Sequence, residues 1–83
     1  MFHVYALRSE TTGRLYIGST GDLARRLSEH NTGLATATKH WGPWRLVHEE
    51  SYATRSAAVR RERYLKTGKG REELNRLLEG QGR

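Results

Sequence analysis

Val4-Tyr5-Ala6-Leu7 and Leu15-Tyr16-Ile17-Gly18 are two short apolar runs at the start of an 83-residue chain, and their reading decides the fold. Val, Ile and Tyr suit a half-buried pleated surface, so both runs read as strands, Phe2 to Arg8 and Leu15 to Gly18. Between them, Ser9-Glu10-Thr11-Thr12-Gly13 has a turn composition, which makes the pair a hairpin. The hairpin sets the phenols of Tyr5 and Tyr16 on neighbouring strands.

Downstream, Ser19-Thr20-Gly21-Asp22 offers capping side chains ahead of Leu23 and predicts a helix to about Asn31, ended by Asn31-Thr32-Gly33. Residues 33–43 form a loop rich in Gly, Ala and Thr that closes with Pro43. Trp44 to Tyr52 alternates as a third, half-buried strand, with Trp44 anchoring it in the core. Thr54 caps a helix from about Arg55 to Thr67, which Gly68-Lys69-Gly70 is expected to break. A last helix, near Arg71 to Glu79, carries Leu74, Leu77 and Leu78 on one side. The order β-β-α-β-α-α predicts an α+β domain spanning residues 1–83, a three-stranded antiparallel sheet with helices packed on it.

A chain of this length buries only about 60–65% of its unfolded surface, so its core is modest. With no cysteine there is neither a disulfide framework nor a thiolate zinc site, which permits a reducing compartment. The apolar stretches of four or five residues are too short for a signal core or a membrane span, so the expectation is a cytoplasmic protein with no membrane partner. Formal net charge is +6, with 12 arginines against 3 lysines. A domain this basic is expected to meet a polyanion, and arginine favours bidentate contact with phosphate. A basic surface that only maintains solubility is the alternative on charge alone.

Two helices carry charged groups where an apolar stripe is expected. Leu23, Arg26, Leu27 and His30 follow one helical face, while Arg25 and Glu29 lie off it and can pair in solvent. Arg26 snorkelling over the core edge and His30 closing the helix would account for both; a guanidinium fixed near a developing phosphoryl charge would too. On the later helix Ala58, Glu62 and Leu65 share a face. A carboxylate there is costly unless a cation meets it, so Glu62 either pairs with an arginine from another element or holds a metal ion. Asp22 is the only aspartate, and Glu49 and Glu50 face opposite ways on a strand, so a site of several convergent carboxylates is not available. One hard cation, Mg²⁺ or Mn²⁺, that keeps most of its waters fits this inventory. Zinc does not, since His3, His30, His40 and His48 show no ligand spacing.

The order of these residues resembles the GIY-YIG nuclease family, its small stand-alone bacterial branch in particular. The first motif is present as His3-Val4-Tyr5, without its leading glycine, and the second intact as Tyr16-Ile17-Gly18. Thr38-Lys39-His40-Trp41 before a Pro-Trp, and Tyr-Leu-Lys after Glu62, match that branch. The resemblance implies a metal-dependent DNA endonuclease leaving a 5′-phosphate and a 3′-hydroxyl. It makes Tyr5 the general base, an assignment that needs a neighbouring cation or the metal-water network, because a free phenol titrates near ~10. Tyr16 would orient the water or a phosphate oxygen, Arg26 stabilise the pentavalent phosphate, His30 relay protons or contact a phosphate, and Glu62 bind the metal. Asn75 is the one candidate for a late asparagine of the family's site. Gly18 lets the chain leave the strand or the substrate come close, or serves ordinary turn geometry.

Thr38, Lys39, His40, Trp41 and Arg45 are expected to wall the substrate, with Trp41 the better candidate for stacking a single-stranded base. The five inferred catalytic side chains should surround one opening, the two tyrosines on one sheet face and Glu62 approaching from its own helix. A non-catalytic nucleic-acid-binding module that keeps the fold is the rival reading, and a subunit whose partner supplies specificity is a third.

Overall fold

β1 (Phe2–Ser9) is the central strand of a three-stranded antiparallel sheet in the order β2-β1-β3, with β2 at Leu15–Thr20 and β3 at Trp44–Tyr52. This is a computed structural model, and it describes residues 1–33 and 41–81. The helices are α1 (Leu23–Thr32), α2 (Arg55–Leu65) and α3 (Gly68–Gln81), giving the α+β order read from the sequence.

The hairpin register pairs Tyr5 with Gly18 and Leu7 with Tyr16. Directly opposed residues share a sheet face, so Tyr5, Leu7, Tyr16 and Gly18 lie together. That face packs against α1 through Leu23 and Leu27, and Trp44 completes the cluster. The other face carries Val4, Ala6 and Ile17, buried against Ala58 and Leu65 of α2 and Leu74 of α3. A strand buried on both faces reads as a continuous apolar run, which is why Val4-Tyr5-Ala6-Leu7 shows no alternation.

Local chemistry fixes each boundary. Asp22 accepts the Arg25 N–H at the start of α1, and Gly33 ends it at φ 83° with its N–H on the Glu29 carbonyl. Asn31, inside α1, clamps the start of β3: its amide nitrogen donates to the Trp44 carbonyl at 3.0 Å, and its oxygen accepts the Trp44 N–H at 2.6 Å. Ser9, fully buried, closes the hairpin by accepting the N–H groups of Thr11 and Thr12. Thr54 caps α2 by accepting the Ala57 N–H.

The expected break at Gly68-Lys69-Gly70 is corrected. α2 stops at Leu65, Thr67 caps a new helix by accepting the Gly70 N–H, and the glycines form the first turn of α3. Gly70 is required for close approach. A Cβ built there would lie 1.9 Å from the Tyr64 carbonyl oxygen and 2.6 Å from Leu65 Cα, both backbone atoms that cannot yield.

α2, α3 and β3 are also joined by charge. Arg61 reaches Glu50 at 2.9 Å and also pairs with Glu73, while Tyr52 donates to Glu50 at 2.6 Å. Burial works to raise the Glu50 pKa, but Arg61, Tyr52 and His48 overcome it and hold the carboxyl at about 2.

Glycine packing and the Glu50 network each lead to a stability prediction. Gly70→Ala is expected to cost more than about 2 kcal/mol by overpacking the α2–α3 contact. Gly80→Ala, which meets nothing within 4 Å, should be neutral or slightly stabilising in the same thermal melt. Glu50 has a depressed folded pKa, so its contribution is complete above its unfolded value of 4.5 and is lost as pH falls toward about 2. Glu50→Gln should lower stability at neutral pH by about 2 kcal/mol and flatten the decline of melting temperature below pH ~4.5.

Candidate active site

Tyr5 is 1% exposed, yet its hydroxyl is the centre of a polar group. The ring lies across β2 at Gly18. A Cβ at that position would stand 2.6 Å from the Tyr5 hydroxyl oxygen and 2.8 Å from Cζ, so the absent side chain is what lets the phenol cross the strand. β2 is an edge strand, so the buried hydroxyl lies over the outermost strand of the sheet on this side.

α1 supplies the partners. His30, also 1% exposed, sets Nε2 at 3.0 Å from Tyr5 Oη. Tyr16 packs on both, its ring centroid 4.8 Å from that of His30 and 6.4 Å from that of Tyr5. Arg26, one turn before His30, is held by Glu29 at 2.8 Å. Glu29, read as able to pair with Arg25, does so loosely at 3.8 Å and serves Arg26 as well.

Burial raises the Tyr5 pKa, the nearby Arg26 guanidinium pulls it down, and the Tyr16 and Glu62 charges push it up again; the net direction is upward. Burial also lowers the His30 pKa, with Arg26 acting in the same sense, so the imidazole is neutral near pH 7. Arg26 is locked in its charged form by Glu29 first and Tyr5 second. The resting pair is a protonated phenol against a neutral imidazole.

Glu62 arrives from the other side of the sheet. It belongs to α2, and its carboxylate accepts from the Ser19 hydroxyl at 2.6 Å and from Lys66 Nζ at 2.7 Å. Ser19 pairs with Val4 and follows Ile17 by two residues, so it lies on the α2 face. The single opening expected for all five side chains is divided by the sheet: Tyr5, Tyr16, Arg26 and His30 stand on the α1 face, and Glu62 is anchored on the α2 face of β2, near enough for its charge to act on the Tyr5 phenol. Gly18 and Ser19, consecutive on that strand, serve one face each. For Glu62, burial works upward on the pKa, while Lys66 and Ser19 bring it below the ordinary carboxylate value. Of the two alternatives read for Glu62, an arginine from another element or a metal ion, the cation that meets it in the structure is Lys66 of its own helix, four residues on.

The donor chemistry here fits a hard divalent cation. One carboxylate oxygen is fixed by Ser19, and the other is held by an ammonium whose side chain is 49% exposed, a partner free to move aside. Among the described residues there is no group of three or more His, Asp or Glu that could enclose a metal, so any ion would keep most of its waters.

The substrate wall divides. Thr38, Lys39 and His40 lie outside the described residues. Trp41 is 41% exposed, with its carbonyl held by Ser9 Oγ at 2.6 Å. Arg45 follows Trp44 in β3 and so projects from the opposite face to Tyr5, away from Trp41's anchor. Asn75 is exposed on α3 beside the fully buried Leu74. Sequence reasoning missed Ser19 and Lys66. The Glu-to-Lys i, i+4 spacing was available for Lys66; nothing local marks Ser19.

Residues 1–75 match the GIY-YIG catalytic domain, and the chain belongs to the GIY-YIG family. A UPF0213 protein of Staphylococcus epidermidis is 39% identical over 69 residues, which cover 82% of this chain and 84% of that protein. The solution NMR structure of the UPF0213 protein of Bacillus halodurans superposes with a TM-score of 0.56 at 33% identity, covering 93% of this chain and 85% of its own. A structure-specific endonuclease subunit of Schizosaccharomyces pombe is 50% identical over 40 residues, 45% of this chain and 15% of that protein. The domain is a nuclease domain, and enzymes of the family are hydrolases that generally use divalent metal ions.

Gly18→Ala tests the seat of Tyr5. The methyl group must displace a ring that burial and His30 hold in place, so a stability loss of about 1–3 kcal/mol is expected. Any nuclease activity should fall further than stability does, because the displaced atom is the hydroxyl. A crystal structure of the variant with Tyr5 unmoved, or undiminished cleavage, would refute the seat.

Proposed function

We propose that the chain is an endonuclease that hydrolyses phosphodiester bonds in DNA, with Glu62 holding one divalent cation, Mg²⁺ or Mn²⁺. The observation that carries this reading is the Tyr5–His30 hydrogen bond laid across Gly18 of the edge strand on which Glu62 is anchored. The cation, when bound, supplies positive charge to the phosphate and polarises a water. The protein's own groups do the rest. Arg26, fixed by Glu29, stands beside the phenol where negative charge grows on the pentavalent phosphorus. Tyr16 orients the attacking water or a phosphate oxygen.

Proton movement follows from the resting states. A phenol held protonated by burial is a poor base alone, but a neutral imidazole 3.0 Å away can take its proton as the water's proton arrives. The water oxygen bonds to phosphorus, and the bond from phosphorus to the 3′-oxygen breaks. The 3′-oxygen takes a proton from solvent, leaving a 3′-hydroxyl and a 5′-phosphate. The net charge of +6 favours a polyanionic substrate over a small phosphodiester.

The yeast relative is named a subunit, and that supports a protein partner supplying specificity here as well. No helix among the described residues is long and apolar enough to cross a membrane. A cytoplasmic setting goes with the DNA substrate of this reading.

Labelled single-stranded and duplex DNA, incubated with and without Mg²⁺ or Mn²⁺, should be cut only with metal. Glu62→Ala should lose cleavage by about a hundredfold or more while retaining affinity for DNA, since phosphate contacts come from the arginines. Cleavage at the wild-type rate would remove the metal assignment, and DNA bound without any cutting would favour the binding module. Affinity should fall steeply with salt, log K dropping by about 0.7–0.9 per phosphate contact per decade.

A further inference from the structure

Trp41 is the most exposed aromatic ring among the described residues, and its backbone is unusually well held. Its carbonyl accepts from the buried Ser9 hydroxyl at 2.6 Å and lies 3.4 Å from Thr11 Oγ1. Two residues on, the Pro43 carbonyl accepts the Glu10 N–H at 3.0 Å. The Arg14 guanidinium stacks over the indole, 4.8 Å from its centroid. Tyr64, the other exposed ring at 38%, is engaged in the structural network through Glu73 and Arg61. The Trp41 indole takes no part in that network. The hairpin that fixes its backbone leaves much of the ring in water.

Ser9 lies on the same strand and the same face as Tyr5, four residues away, and is paired with Trp44 of that face's cluster. The seat of Trp41 is therefore about 13 Å along the sheet from that of Tyr5. At about 3.4 Å per stacked nucleotide this spans no more than about four nucleotides, fewer if the strand is stretched. An exposed indole beside a guanidinium offers a π face and a positive charge, the combination that holds an unpaired base next to its phosphate. A paired base inside a duplex presents no face to such a platform.

We propose that Trp41 and Arg14 form a stacking subsite for one unpaired base of the DNA, within a few nucleotides of the phosphate placed at Tyr5. The subsite rests on the nuclease reading and gives it a substrate class, DNA with a single-stranded stretch beside the cut.

The test uses single-stranded oligothymidylate and a duplex of equal length. Without metal, oligothymidylate should quench the tryptophan fluorescence of the wild type. Trp41→Phe should lose that quench while retaining most of the affinity. With metal, Trp41→Ala should raise KM for the single strand between about fivefold and a hundredfold, and much less for duplex. A scan of abasic positions along the oligonucleotide should weaken wild-type binding at one position near the cut, and that position effect should vanish in Trp41→Ala. Equal quenching in wild type and Trp41→Phe, or a flat abasic scan, would overturn the subsite even if the protein cuts DNA. Quenching and position dependence without any cleavage would keep the subsite and remove the nuclease reading.

Discussion

The crossing of the Tyr5 phenol over Gly18 governs the rest of the site. A tyrosine on the central strand of a three-stranded sheet would ordinarily be sealed beneath a helix. Here the neighbouring strand gives up a side chain, the ring lies flat across the gap, and its hydroxyl is met by His30 at 3.0 Å. Burial then sets both partners: the phenol keeps its proton and the imidazole stays neutral. In the proposed mechanism this pair passes a proton, and burial, which penalises every charged state of the two groups, keeps both neutral until then. Arg26 is the permanent positive neighbour, and Glu29 keeps it from collapsing elsewhere.

The two faces of the sheet divide the labour. On the α1 face, aromatic and basic groups converge and polar contacts reach a fully buried residue. On the α2–α3 face, apolar packing and the Glu50–Arg61–Glu73 network fix a rigid backing. Glu62 belongs to the backing, where α2 meets β2. Its anchor on Ser19 ties the position of the carboxylate to the strand that carries Gly18. A shift of α2 against the sheet would move the carboxylate relative to the phenol, so the α2–α3 packing at Gly70 is coupled to the site's geometry through the fold.

Much of this was legible in the sequence, for physical reasons that differ by residue. The hairpin was legible because two β-rich runs flank a turn composition. His30 and Arg26 stood out because a helical stripe places them with Leu23 and Leu27, and the structure puts His30 against the phenol. Glu62 was flagged by its apolar neighbours, but periodicity gives a helix's own face and not the side of the sheet it packs on, so its place on the opposite face was hidden. Gly68 and Gly70 read as a break because glycine disfavours helix, whereas close packing against the α2 backbone outweighs that preference. Arg45 is a different case. Alternation from the buried Trp44 already places it on the other face, and the signal was present in the strand pattern.

Asn31 bears on how the molecule behaves among its own copies. β3 is an edge strand, and edges with free N–H and carbonyl groups invite a strand from another chain. The Asn31 amide offers a donor and an acceptor in the spacing of a peptide unit and occupies both backbone groups of Trp44. At that end of β3 a helix residue thus imitates the next strand, and an incoming chain finds the first rung of the ladder taken. A single side chain both docks α1 on the sheet and guards the chain against edge-to-edge aggregation.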